Sequence, residues 1–258
     1  MEYVFDGSFA GYLTAVFYAF EHKDFPITLI AQADYQPNLM SSPLHILTDD
    51  AKAQRVMKGL EAKIGKQKSV DFYRNFLSED PRAWQAGFNI IEQIFKGKQN
   101  ILDNFGDDQV LYFHQTLKKV SRERHRMKAF TRFNKAADGM FVAIIEPDFN
   151  VLPLIAPFFK NRYTDQKWMI YDVRRQYGLL YDLVSISEVN LSPTEVPVNI
   201  NNAVSMPLDE KDAQYQQLWK RYFKSTNIEA RRNMKLHLQH VPKRYWKYLT
   251  EKQLMDED

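Results

Sequence analysis

Apolar positions recur along this chain with two periods, and the changes of period divide it into elements. Spacing of three and four residues puts a stripe on one face of a helix, and short runs of β-branched and aromatic residues mark strands. Tyr3-Val4-Phe5 reads as a strand. Asp6-Gly7-Ser8 is a turn able to cap a helix over residues 12–22. Residues 25–31 predict a second strand and 36–43 a loop. Thr48 or Asp49 caps a helix to about residue 64, with Val56, Met57, Leu60 and Ile64 along one side. Helical spacing continues over 70–77 and 81–95, where Pro81 occupies a favoured first position. Asp107 or Asp108 opens the longest helix, to about residue 135, with Val110, Phe113, Leu117 and Val120 facing inward. Strands follow at 140–146, 168–174 and 179–189, with a short apolar helix or turn at 151–159. Residues 175–178 read as a hairpin link.

This order predicts an α+β fold. An antiparallel or mixed sheet built around residues 140–189 is packed by several helices. Pro193, Pro197 and Pro207 with Asn199, Asn201 and Asn202 make 191–207 the expected linker. The expected division is therefore a core domain at 1–190, that linker, and a helical basic-aromatic extension at 208–258. With 258 residues, 45% of them hydrophobic, the chain is long and apolar enough to bury a core.

The chain has no cysteine. Disulfides, thiolate zinc sites and iron–sulfur clusters are excluded within it. No cofactor is expected. The first residues lack the basic start and apolar run of a signal peptide, and no stretch reaches a membrane span. The expectation is a cytoplasmic protein with no membrane partner.

Charge changes the picture more than composition does. The net charge is only +3, yet residues 118–135 carry eight cations against the single acid Glu123. Residues 215–248 carry nine against Glu229. Segregation of this kind points to a polyanionic partner. In the first segment Lys118, Arg122 and Arg126 follow at four-residue spacing, and Arg124, Lys128 and Arg132 form a second row. His125, Phe130 and Phe133 are interleaved with them. Phosphates need cations and unstacked bases need flat apolar faces, so one helix offering both suits a single strand or a distorted duplex. The alternative is a solvated face with Phe130 and Phe133 in the core. In the second segment Lys243 and Arg244 precede Tyr245 and Trp246. There the expectation is that Trp246 anchors the segment while Arg244 and Tyr245 stay free for DNA.

Other candidates carry less. Gly7-Ser8-Phe9-Ala10-Gly11 matches no phosphate-binding or nucleophile motif and reads as structural. His237 and His240 lack further ligands at a recognisable spacing, so no metal is expected. Glu146, Asp148, Asp172 and Asp182 lie near strand ends. They would serve acid–base or metal chemistry, or pair with Arg162, Arg174 and Arg175.

Several segments together resemble a bacterial family associated with DNA repair or DNA metabolism, of unknown biochemical function. They are Tyr3 to Phe9, Glu123 to Lys128 with Arg132-Phe133, Ala137-Asp138-Gly139, Ile145-Glu146-Pro147, Asn150 to Leu154, Asp165 to Asp172, Tyr177-Gly178, and Pro242 to Trp246. The resemblance spans nearly the whole chain. It implies a gene neighbour encoding a radical-SAM protein of DNA repair, and a similar domain is fused to some uracil-DNA glycosylases. It carries no reaction. Lacking cysteine, this chain would leave radical chemistry to a partner.

The leading expectation is a nucleic-acid-binding accessory protein that presents damaged or single-stranded DNA to a radical-SAM or glycosylase partner. A DNA-processing hydrolase using His125 or the strand-end carboxylates is one alternative. A protein–protein adaptor with basic docking faces is the other.

Overall fold

The computed structural model describes residues 1–37, 42–98, 100–190, 209, 218 and 238–252. They form an α+β chain that divides into two compact units, Met1–Arg122 and Glu123–Asp258. The boundary falls inside a continuous helix, where no change of composition marks it. The expected linker at 191–207 lies outside the described residues, as does nearly all of 208–237.

In the first unit, strand β1 (Glu2–Phe5) is the centre of a parallel sheet, between β2 (Thr28–Ala31) and β3 (Leu44–His45). β3 is two residues long and too short for periodicity to show. Helix α1 (Phe9–His22) starts where the Ser8 hydroxyl accepts the Gly11 N–H, and stops at Lys23 in the left-handed conformation. Asp49 caps α2 (Asp50–Ile64) by accepting the N–H groups of Ala51 and Lys52. α3 (Lys66–Phe76) follows, and Asp80 caps α4 (Pro81–Phe95). Their apolar stripes close over one core containing Phe5, Val16, Leu60, Phe72, Ile91 and Phe113.

Helix α5 (Asp108–Phe130) contributes residues to both units. It ends five residues short of its expected end. The Thr131 hydroxyl donates to the Met127 carbonyl at 2.6 Å and Arg132 to the Ala129 carbonyl at 2.7 Å, satisfying the last turn from outside it. Phe133–Lys135 then leaves as strand β4.

The second unit is built on a five-stranded sheet of order β4-β5-β6-β7-β8, where β5 is Phe141–Ile145, β6 Trp168–Asp172, β7 Tyr177–Tyr181 and β8 Ile186–Val189. β5 and β6 pair in parallel across helix α6 (Leu152–Arg162), and the other pairs are antiparallel, so the sheet is mixed. The expected single strand at 179–189 is two strands. Asp182 accepts the N–H groups of Val184 and Ser185, and Leu183 takes φ 89°, which folds the apolar run into a turn. Gly178 is favoured by close approach: a Cβ there would lie 3.1 Å from the Ile170 carbonyl and 3.2 Å from the Tyr171 ring.

Alternation gives this sheet two faces. Trp168 and Tyr181 are paired neighbours on one, with Phe159 of α6 against Trp168. Val142, Ile144, Met169 and Tyr171 pack on the other, with Tyr248 from the C-terminal segment against them. That segment is expected to be helical, and where it is described residues 238–240 are α-helical and Lys243–Tyr248 forms 3-10 helix.

Candidate nucleic-acid interface

Helical spacing sorts the side chains of α5 onto opposite faces. Phe113, Thr116, Val120, Glu123 and Met127 follow at three- and four-residue intervals, and all are buried. Glu123, 1% exposed, thus occupies an apolar-stripe position. Lys118, Arg122, His125 and Ala129 share another face and are exposed. No ion pair engages Lys118, Arg122 or His125 among the described residues. Arg124 and Lys128 are half-buried. The Lys128 ammonium sits 4.9 Å from the Phe158 ring centre. Burial, reinforced by the charge of Arg124, lowers its pKa below the usual lysine range.

Of the other expected contact residues, Arg126, Arg132, Arg244 and Tyr245 are engaged within the protein. Arg132 caps α5 and pairs with the buried Glu251 at 2.8 Å. Arg126 lies 3.7 Å from Glu123. Glu123 is the hub of a polar cluster that sequence reading counted only as the lone acid among cations. Its Oε1 accepts from the Tyr245 hydroxyl at 2.5 Å and from the Asp148 N–H at 2.9 Å. Arg244 reaches Glu123 Oε2 at 3.6 Å, donates to the Tyr245 oxygen at 2.6 Å, and pairs with Asp148. Burial pushes the Tyr245 hydroxyl pKa well up, and its hydrogen bond to Glu123 adds to this against the opposing Arg244.

The expected roles of the two neighbouring rings are therefore reversed. Tyr245 is the anchor, 1% exposed and packed on Phe130 at 5.4 Å, while Trp246 is half-buried and donates to the Val241 carbonyl. The cause is the pair of partners: the phenol donates to the buried Glu123 and accepts from Arg244, and a donor-only indole cannot do both. Lys243 is exposed, with its ammonium 5.9 Å from the Trp246 ring centre.

The strand-end carboxylates are also engaged. Asp172 pairs with Arg175 at 2.9 Å and accepts the N–H groups of Arg174 and Arg175. Arg174 and Arg175 also donate to the Asp148 carbonyl, and Arg175 to that of Pro147, tying the loop after β5 to the β6–β7 turn. Glu146 meets Lys247 at 2.5 Å and the Tyr248 hydroxyl at 2.6 Å. Burial alone would raise its carboxyl, but these hydrogen bonds, with the charges of Lys247 and Arg174, hold it below the ordinary value. Asp182 serves its turn. No group of three metal-ligating side chains occurs among the described residues, and His237 lies outside them.

The turn after β1 is filled by its own chain. The Asp6 carboxylate accepts from the Ser8 N–H, the Ser8 hydroxyl and the Thr48 hydroxyl. A Cβ on residue 11 would stand 2.2 Å from Asp6 Oδ1, so Gly11 lets that carboxylate sit over the start of α1.

One feature of the second unit was not read from the sequence. A cavity of about 650 Å³ is walled by Phe133, Phe141, Phe158, Phe159, Tyr163 and Trp168, with Lys128, Arg132, Arg162 and Gln166 also lining it. Its rings come from β4, β5, α6, the residue that follows α6, and β6, and pairing of the strands sets three of them side by side. The Phe158-Phe159 pair, set between residues that end in Arg162 and Trp168, was the available signal.

An α+β chain with an exposed line of cations and a ring-walled cavity defines the class only coarsely. Residues 81–251 match the family described as Domain of unknown function, DUF4130, and the chain belongs to that family. The match takes in α4, α5 and the whole sheet of the second unit. No curated protein and no solved structure matches the chain. No helix among the described residues is long and apolar enough to cross a membrane.

Proposed function

We propose that this protein is a nucleic-acid-binding accessory protein of DNA repair or DNA metabolism. It holds single-stranded or damaged DNA for a partner that performs the chemistry, of the radical-SAM or glycosylase kind. The observation carrying this reading is the pair Lys118 and Arg122 on α5, exposed beside His125 and in no ion pair among the described residues. Cations left without acids attract a polyanion, and their affinity comes from releasing its counterions. The engaged state of Glu146, Asp148 and Asp172 favours the accessory reading over a hydrolase that would use them.

The test is fluorescence anisotropy of labelled single- and double-stranded DNA with the full chain across a salt series. Binding that weakens linearly with log salt is expected. Salt-independent binding, or none at low salt, would exclude it. Turnover of the same DNA with added Mg²⁺ would instead support the hydrolase.

A further inference from the structure

The cavity at the end of α5 offers a chemistry that the exposed cations lack. Its volume, about 650 Å³, is that of a site for a small ligand or a group extruded from a larger one. Rings supply its walls, and Phe133, Phe141, Phe158 and Tyr163 are only half-buried. Its described lining holds no carboxylate. Arg132 is already neutralised by Glu251, which leaves Lys128 and the exposed Arg162 as the cations available to an incoming anion. Gln166 adds an amide that can both donate and accept.

The polar part of the lining points to a polar occupant. A purely aliphatic occupant would leave the Gln166 amide and both cations unanswered. A flat heteroaromatic ring carrying acceptor atoms and joined to an anion answers all of them.

We infer that this cavity takes one unstacked base of a single DNA strand, stacked on its half-buried rings, with a flanking phosphate against Lys128 and Arg162. The inference rests on the nucleic-acid reading above and names the part of the strand that the second unit holds. A base inside a duplex is covered on both faces and cannot enter a concave site, so the cavity discriminates strand state where the α5 cations do not.

The experiment uses the full chain and a thymine-rich oligonucleotide carrying one central 2-aminopurine, alone and annealed to its complement. Binding of the single strand is expected to quench the 2-aminopurine, and binding of the duplex to leave it unchanged. Tyr163→Leu and Phe158→Leu keep apolar volume but remove a ring. Each is expected to abolish the quench and weaken single-strand binding about 5- to 150-fold, the span of one stacked base, with duplex binding unchanged. Arg162→Gln, on the surface, guards against a folding defect and is expected to lower the single-strand salt slope by about 0.7. If the Leu variants fold and keep both quench and affinity, or if Arg162→Gln leaves the slope unaltered, the cavity is not the base site while α5 still binds. If the native chain binds neither strand nor duplex at low salt, the nucleic-acid reading falls and takes this inference with it.

Discussion

Lys118, Arg122 and His125 on α5 face solvent, whereas Arg244 and Tyr245 of the C-terminal turn are bound to Glu123 and Asp148. The two segments have the same make-up of cations and rings. What separates them is where the acids are. Glu123 comes from the segment counted as basic, and its single carboxylate sits in the buried stripe of α5, where it gathers Arg126, Arg244 and Tyr245. Charge summed along a segment therefore overstates the charge shown to a partner. The relevant quantity is the set of cations that no carboxylate reaches.

That contrast can be broken most severely at its anchor. Tyr245→Ala empties a fully buried site and is expected to destabilise the second unit by about 3–5 kcal/mol. Denaturant unfolding followed by tryptophan fluorescence measures it, and a loss below 1 kcal/mol would mean that the C-terminal turn is not docked. Glu123→Gln keeps the shape and removes the charge. Its two hydrogen bonds weaken from charged to neutral, an expected loss of about 1–2 kcal/mol by the same measurement. On the open side, Lys118→Gln with Arg122→Gln should change stability by less than about 0.5 kcal/mol, as exposed positions away from packed contacts do.

The smallest expected effect concerns pH. Glu146 titrates below the ordinary carboxylate range once folded, so its contribution is present above the unfolded value and is lost as pH falls through the folded one. The melting difference between the native chain and Glu146→Gln should therefore be full near neutrality and shrink toward zero in acid. Its side chain is 37% exposed, so the difference is small at every pH. A difference that grows in acid would contradict the pairing with Lys247 and Tyr248.

The elements with long periodic stripes were legible in the sequence. α2, α4 and β5 lie within a residue or two of their expected bounds, because caps at Asp49 and Asp80 and the apolar run of β5 are local signals. The end of α5 and the division of 179–189 were not. Each depends on a side chain that turns back on its own backbone, Thr131 with Arg132 in one case and Asp182 in the other. The site divides the same way. Lys118 and Arg122 were legible as one row from spacing, but the third member of that row, Arg126, is half-buried against Glu123. Glu123 could have been found as an acid in register with Phe113, Val120 and Met127, a position where a charge needs a buried partner. Which residue supplies that partner, Tyr245 rather than Trp246, depends on a contact between residues 122 apart in sequence. The cavity likewise depends on strand order.

The difference between open and engaged cations is tested most directly by the salt dependence of DNA binding in two variants compared with the native chain. One replaces Lys118 and Arg122 by Gln, and the other replaces Arg244 by Gln. Each phosphate contact contributes about 0.9 to the slope of log affinity against log salt on duplex DNA. The α5 pair should lower the slope by nearly 2, and Arg244→Gln should leave it unchanged while costing stability. A slope that falls with Arg244→Gln and holds with the α5 pair would place the binding face on the C-terminal turn and contradict the account.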